Sequence, residues 1–214
     1  MAFVGGVSVV GRVKRTRDIC VGVATNSGGT EMVDAAASLK KELLNVCERT
    51  RQNGTVETEE TKNSIAKMAA ELDEAWRVQE VNPATDGVGM IDGSWYLQYT
   101  STVNPSSGKL GPFVGRVLQK IDLENQRFEN MCLLGPLKFN LEATWKVLDD
   151  NNFNVLFLTK EISLFGISVQ KSPFSEGSGG FWRMGYTDED VRVLWTKRFP
   201  RDKTESLFVL RRER

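Results

Sequence analysis

No histidine occurs among the 214 residues, and that absence narrows the chemistry more than any residue that is present. A Ser-His-Asp or Cys-His nucleophile, an imidazole general base and a His-ligated zinc or iron are all excluded. Carboxylate, arginine and tyrosine chemistry remain, so the expectation is a non-enzymatic protein with no catalytic residue, metal or cofactor. Cysteine is scarce too: Cys20, Cys47 and Cys132 lie far apart with no Cys-x-x-Cys spacing. That is the pattern of free thiols in a reducing compartment and not of a disulfide scaffold or a zinc site. Neither sign of charge is in excess, with 28 basic and 28 acidic side chains. Apart from the terminal Arg211-Arg212-Glu213-Arg214, nothing gathers nucleic acid. No apolar run approaches the roughly 18 residues of a spanning helix, so any membrane contact is expected to be peripheral.

What is there divides into three parts. Residues 1–33 are rich in valine and glycine, carry Arg12, Lys14, Arg15 and Arg17, and meet their first acid at Asp18. A basic, acid-poor start of this kind is typical of an organelle transit peptide, the alternative being a plain disordered arm. Residues 34–81 read as a helical hairpin. Its first helix carries Leu39, Leu43, Val46 and Cys47 on one face and ends at Asn53-Gly54. Its second opens at the N-cap Thr58, with Glu59 and Glu60 at the positive end of the helix. Ile65, Met68, Ala69, Leu72 and Trp76 form its apolar stripe, and Asn82-Pro83 stops it. The expected role of the hairpin is to close the mouth of a barrel built by the rest of the chain; an independent lipid-surface role has the same signature. Asn53-Gly54-Thr55 fits a glycosylation acceptor, but the cysteine pattern argues against secretion. Gly87, Gly89 and Gly93 precede a strand and make no phosphate cradle.

From Gly93 onward the signals are strands and turns. Trp95, Leu97 and Tyr99 alternate with Ser94, Gln98 and Thr100, the period of a strand with one buried face. Further strands are expected over Arg116–Ile121, Arg127–Leu134, Leu137–Val147, Phe153–Lys160, around Phe165–Val169, and over Phe181–Tyr186, Val191–Thr196 and Leu207–Leu210. Residues 91–212 thus hold roughly eight strands of usual length. No helix separates them, so the sheet is antiparallel, and a meander this long escapes its exposed edges by closing into a barrel.

Such a barrel is filled by side chains or holds one small ligand. The inward candidates are Trp95, Tyr99, Phe139, Trp145, Phe157, Trp182 and Tyr186, an aromatic lining that is equally the composition of an ordinary core. Burying a ten-carbon chain yields about 8 kcal/mol at ~0.8 per methylene, against an association cost of about 4–15 kcal/mol. A polar grip on a headgroup is therefore expected as well. Arg192, Arg183 and Asp188 are its candidates, although each type is more often a structural ion-pair partner.

Four blocks carry a family resemblance. They are Gly93-Ser94-Trp95-Tyr96-Leu97-Gln98-Tyr99-Thr100-Ser101, the run Leu110-Gly111-Pro112-Phe113-Val114-Gly115-Arg116 through Asp122, the run Tyr186-Thr187-Asp188-Glu189-Asp190-Val191-Arg192, and Leu207-Phe208-Val209-Leu210-Arg211. In order and spacing they resemble the plastid lipid-associated proteins, or fibrillins, over about residues 35–212. The chain departs from the usual pattern after Arg192, where Val193 to Arg198 replace a short Ser-Arg-Gly turn. The resemblance implies a mainly β fold, a closed antiparallel lipocalin-like barrel preceded by the helical hairpin. It also implies binding or carriage of a lipid, quinone or carotenoid in plastids, peripheral to thylakoids or plastoglobules. Gly93-x-Trp95 is similar to the lipocalin opening, whose tryptophan plugs the barrel floor under an arginine of the last strand; Arg211 is the matching position. Two rival readings share the barrel. One is a structural subunit docked on a photosynthetic complex through apolar loop residues such as Phe113 or Phe174. The other is a bilin lyase or chaperone, whose helix would lie within the barrel sequence and not before it.

Overall fold

The structure is a computed structural model and describes residues 27–77, 88–103 and 105–214. Most of the basic N-terminal stretch, Cys20 and the Asn82-Pro83 stop lie outside the described residues. Helix α1 spans Ser27–Arg49 and so begins before Asp34, inside the stretch expected to be an arm. Helix α2 spans Glu59–Arg77, and the backbone N–H of Thr61 donates to the Thr58 hydroxyl at 3.2 Å, as an N-cap requires.

The connection between them is a single 3-10 turn, Gln52–Gly54. The side chain of Asn53 donates to the carbonyls of Ser107 at 2.8 Å and Gly115 at 3.1 Å, so its amide is already engaged. Gly54 sits at φ +87°, and a Cβ there would lie 2.4 Å from the Tyr99 ring. Gly54→Ala is therefore expected to cost on the order of 1–3 kcal/mol from the positive φ alone, with the clash in addition. The urea midpoint measures it, and an unchanged midpoint would show that the turn does not hold Tyr99 in solution.

A helical turn, α3 (Val88–Ile91), leads into β1 (Gly93–Thr100). Strands β2 (Lys109–Leu110) and β3 (Phe113–Val114) pair with each other. Then come β4 (Arg116–Asp122), β5 (Arg127–Leu134), β6 (Leu137–Val147), β7 (Asn152–Leu164), β8 (Ile167–Pro173), β9 (Gly179–Thr187), β10 (Val191–Lys197) and β11 (Ser206–Arg212). The fold is mainly β, a nine-stranded antiparallel sheet in the order β6-β5-β4-β1-β11-β10-β9-β7-β8 with the helices at its N-terminal side. In addition β6 pairs with β7 along its whole length, from Leu137↔Leu164 to Val147↔Phe153. The length of β7 allows this: its first residues, Asn152–Leu156, also pair with β9, and its last, Thr159–Leu164, with β8.

Apolar side chains gather in two layers. One face of the sheet packs Trp95, Leu97, Val117, Phe128, Trp145, Leu194 and Phe208 against one another, with Ile91 of α3. The other face presents Val191, Val193, Leu207 and Val209 to Leu43, Cys47, Ile65, Ala69 and Leu72 of the helices. The hairpin thus lies flat on one face of the β1-β11-β10-β9 part of the sheet, and not across an end, where its expected role places it. The reason is complementarity: the stripe on α2 needs an apolar surface, and the outward residues of β10 and β11 supply a row of valines and leucines.

Asp73 of α2 fixes this docking. Between Met184↔Leu194 and Thr187↔Arg192, β9 has one residue more than β10, a bulge that frees the backbone N–H of Tyr186. That N–H donates to Asp73 Oδ1 at 2.7 Å, and the Trp195 indole donates to Oδ2 at 2.6 Å. Gly185 makes room, since a Cβ there would lie 2.3 Å from Asp73 Oδ1.

Candidate functional site

The face of the sheet away from α1 and α2 carries the candidate site. One end is sealed. The Trp95 indole donates to the Ile91 carbonyl at 2.8 Å and its ring is fully buried. Over the ring, 4.1 Å from its centroid, lies the guanidinium of Arg212. Arg212 also donates to the carbonyls of Glu189 at 2.7 Å and Asp92 at 2.6 Å, and to that of Met90, which ties α3 to the last strand. Arg211, the arginine expected over the tryptophan, points outward and pairs with Glu48 of α1 at 2.7 Å. Registry explains the one-residue shift: Trp95 pairs with Arg212 directly, so the two share a face.

Above this floor is a half-enclosed cavity of about 990 Å³, at the upper end of the roughly 300–1,000 Å³ usual for small-molecule sites. Its walls are Phe128, Leu141, Phe157, Trp182, Leu194 and Phe208, and its rim is made by Phe174 and by the loop from Arg198 to Thr204. Phe128 meets Trp182 edge to face at 4.7 Å, and Phe157 tilts against Phe174 at 5.3 Å. Polar side chains interrupt this surface, among them Asn154, Glu176, Thr196 and Lys197 as well as one facing pair. Gln119 of β4 and Asn130 of β5 are directly paired across the strands and both line the cavity.

Behind Gln119 stands Arg192, fully buried. It donates to Gln119 Oε1 at 2.5 Å, and its guanidinium lies 5.5 Å from the Trp95 ring and 6.0 Å from the Trp182 ring. Burial, with the positive Arg212 nearby, pulls its pKa down to about 9.

Of the side chains expected to face inward, Trp95, Trp145, Phe157, Trp182 and Arg192 share this face, but only Phe157 and Trp182 line the cavity, and Trp95, Trp145 and Arg192 lie in the packing behind it. Phe139 is half-buried and belongs neither to the inner cluster nor to the cavity wall. Tyr99 and Tyr186 are on the opposite face, among the helices. Both displacements have one cause, a bulge. In β1 an extra residue between Leu97↔Leu210 and Tyr99↔Val209 reverses the alternation, so Thr100 turns inward and Tyr99 outward. The β9 bulge does the same to Tyr186.

The other two headgroup candidates also lie outside. Arg183 is held by Glu205 at 2.7 Å and by Asp73 at 3.5 Å. Asp188 accepts from Lys40 of α1 at 2.7 Å and from the Tyr186 hydroxyl at 2.5 Å. Burial pushes the Asp188 carboxyl up, but Lys40, Tyr186 and two backbone N–H groups outweigh it and hold the group below the ordinary carboxylate range. Gln119 and Asn130 are two polar cavity residues that sequence reasoning passed over, together with the apolar Phe128, Leu141, Leu194 and Phe208. The alternation Val117, Gln119, Ile121 in β4 was the available signal, a glutamine on an otherwise apolar face.

Cys47 and Cys132 are buried free thiols. Among the described residues no helix is long and apolar enough to cross a membrane. Compared with known proteins, the chain matches the family model described as PAP_fibrillin over residues 37–211. No curated protein matches it.

Proposed function

The chain belongs to the PAP_fibrillin family of plastid lipid-associated proteins, and from that premise we propose that its sheet acts as a closed, lipocalin-like cup that binds or carries a lipid, quinone or carotenoid without altering it chemically. The observation that carries this reading is the aromatic cavity of about 990 Å³ above the Trp95 floor. The circuit of strand pairings supports closure: β1-β4-β5-β6-β7-β9-β10-β11 returns to β1, with β8 as a branch. Site residues are Trp95, Trp145, Phe157, Trp182 and Arg192, with Gln119 and Asn130 added. Thylakoid or plastoglobule surfaces are the proposed working place.

The contact with such a surface is proposed to be the β7–β8 hairpin. Phe165 is 78% exposed, Ile167 70% and Val169 59%. Phe165 and Gly166, at φ +50° and +80°, occupy the two central positions of the turn, where Asn-Gly is the usual choice. Left-handed geometry costs a non-glycine residue roughly 1–2 kcal/mol, and an exposed phenylalanine recovers none of it by packing within the chain. Burial in a lipid surface would. Lys160 and Lys171, both exposed, lie further back along the hairpin, Lys171 beside Glu161 at 3.9 Å, and a lysine near an anionic surface adds about 1 kcal/mol.

Organic-solvent extraction of the purified protein is expected to release a bound lipid, quinone or carotenoid. The double change Phe165→Ser and Ile167→Ser is expected to lower co-sedimentation with anionic vesicles about tenfold or more, from ~1.5–3 kcal/mol per fully buried side chain, while the extract stays the same. Repeated recovery of empty protein that also ignores vesicles would refute the reading. Docking on a photosynthetic complex finds support in Phe113, 61% exposed, but Phe174 turns into the cavity rim. A bilin lyase needs an acid beside its arginine, and Arg192 is influenced instead by another cation.

A further inference from the structure

We propose that the cavity selects apolar molecules ending in an anion, a long-chain carboxylate being the simplest, and seats that anion at Gln119 and Asn130 in front of Arg192. The proposal rests on the cavity being a ligand site and names the head chemistry which that reading leaves open.

Three observations carry it. First, Arg192 is a fully buried cation with no acid in reach. Among the described residues no carboxylate is within ion-pair distance of it, and the charge nearest it electrostatically is Arg212, of the same sign. Buried charges are ordinarily paired, because an unpaired one forfeits its hydration with no return. The Trp95 and Trp182 rings offset part of this through cation–π contact. Second, two of the three guanidinium nitrogens, Nε and Nη1, have no hydrogen-bond partner, while the third is spent on Gln119. Third, the shortfall continues into the cavity. The Asn130 side-chain oxygen, directly across from Gln119, is buried without a partner as well. A half turn of that amide presents its NH2 to the cavity, and a carboxylate placed there meets amide donors with a positive charge one hydrogen bond behind them.

The apolar body is Phe128, Leu141, Phe157, Trp182, Leu194 and Phe208, and the charged residues that also line the cavity, Glu176, Lys197, Arg198 and Asp202, are of both signs, so Arg192 is the fully buried charge beside it. A neutral lipid would fill the body equally well and leave the cation uncompensated. Arg192 also differs from the arginines at the surface: Arg183 and Arg211 each have a carboxylate partner.

The test compares heads on one tail. Delipidated full-length protein is titrated at neutral pH with palmitate, methyl palmitate and hexadecanol, following the tryptophan fluorescence. Palmitate is expected to bind at least tenfold tighter than the other two, and Arg192→Met is expected to bring the three affinities to within about twofold by weakening the acid alone. Equal binding of acid, ester and alcohol to the native protein would overturn the proposal and leave the cup reading intact, with Arg192 a structural cation between two indoles. Tighter binding of the ester or the alcohol would overturn it in the same way. Binding of none of the three would overturn both. The comparison on native protein decides even where the Arg192 variant fails to fold.

Discussion

Asp73→Ala is expected to lower the unfolding free energy by about 3–5 kcal/mol, the cost of removing one partner from a buried charged network. Asp73 is 4% exposed and is the point where α2 is fastened to the sheet. Removing its carboxylate leaves the Tyr186 N–H and the Trp195 indole N–H without their acceptor in a half-buried layer, and each orphaned buried donor costs about 1–3 kcal/mol. Burial raises the Asp73 pKa, and the bonds from Tyr186, Trp195 and Arg183 pull against that rise, so the network holds a charge that its surroundings disfavour. In a chain of this size a loss of 3–5 kcal/mol lowers the melting temperature by about 6–20 °C. Asp73→Asn, which keeps one acceptor, should fall between the native protein and the alanine variant. If the alanine variant melts with the native protein, the helices are not anchored at Asp73.

Trp95→Ala should be comparably damaging, by about 3–5 kcal/mol, as for other large aromatic side chains removed from a core. The ring supports three things at once: the inner cluster, the bond to Ile91 and the guanidinium of Arg212. Without it Arg212 loses its stacking surface, worth roughly 0.5–2 kcal/mol, and the floor of the cavity opens toward α3. Trp95→Phe keeps an aromatic face but leaves the Ile91 carbonyl without its indole donor, so an intermediate loss is expected. Equilibrium urea unfolding separates the three proteins. A Trp95→Ala protein of native stability would mean that the floor is held by α3 and Arg212 alone.

These two residues also show what could be read from the chain. Trp95 announces itself, because Gly93-x-Trp95 opens an alternating strand. The strands Arg127–Leu134 and Leu137–Val147 likewise have the bounds that alternation predicts. Asp73 does not announce itself: an aspartate one position beyond Leu72 reads as solvated helix surface until the bulge in β9 places a free N–H against it. Alternation carries no mark of a bulge, so Tyr99 and Tyr186, each two residues beyond an inward side chain, are assigned to the wrong face. The placement of the hairpin was partly legible. Leu207-Phe208-Val209-Leu210 has no polar interruption, the pattern of a strand covered on both sides, and a cover for its second side was needed. Arg211 and Arg212 are equivalent by composition and are separated only by registry. The cavity itself depends on how side chains from β4, β5, β6, β7, β9, β10 and β11 meet, and no single strand contains that information.

Among the described residues α1 and α2 pack on the other face of the sheet and add nothing to the cavity lining, so in the proposed carriage filling and emptying need not wait for either helix to detach. Turnover of the proposed contents is then a matter for the rim loops, while endurance of the fold belongs to the Asp73 anchor. A change that shortens the life of the folded protein can leave its exchange rate untouched, and the reverse holds for changes at the rim.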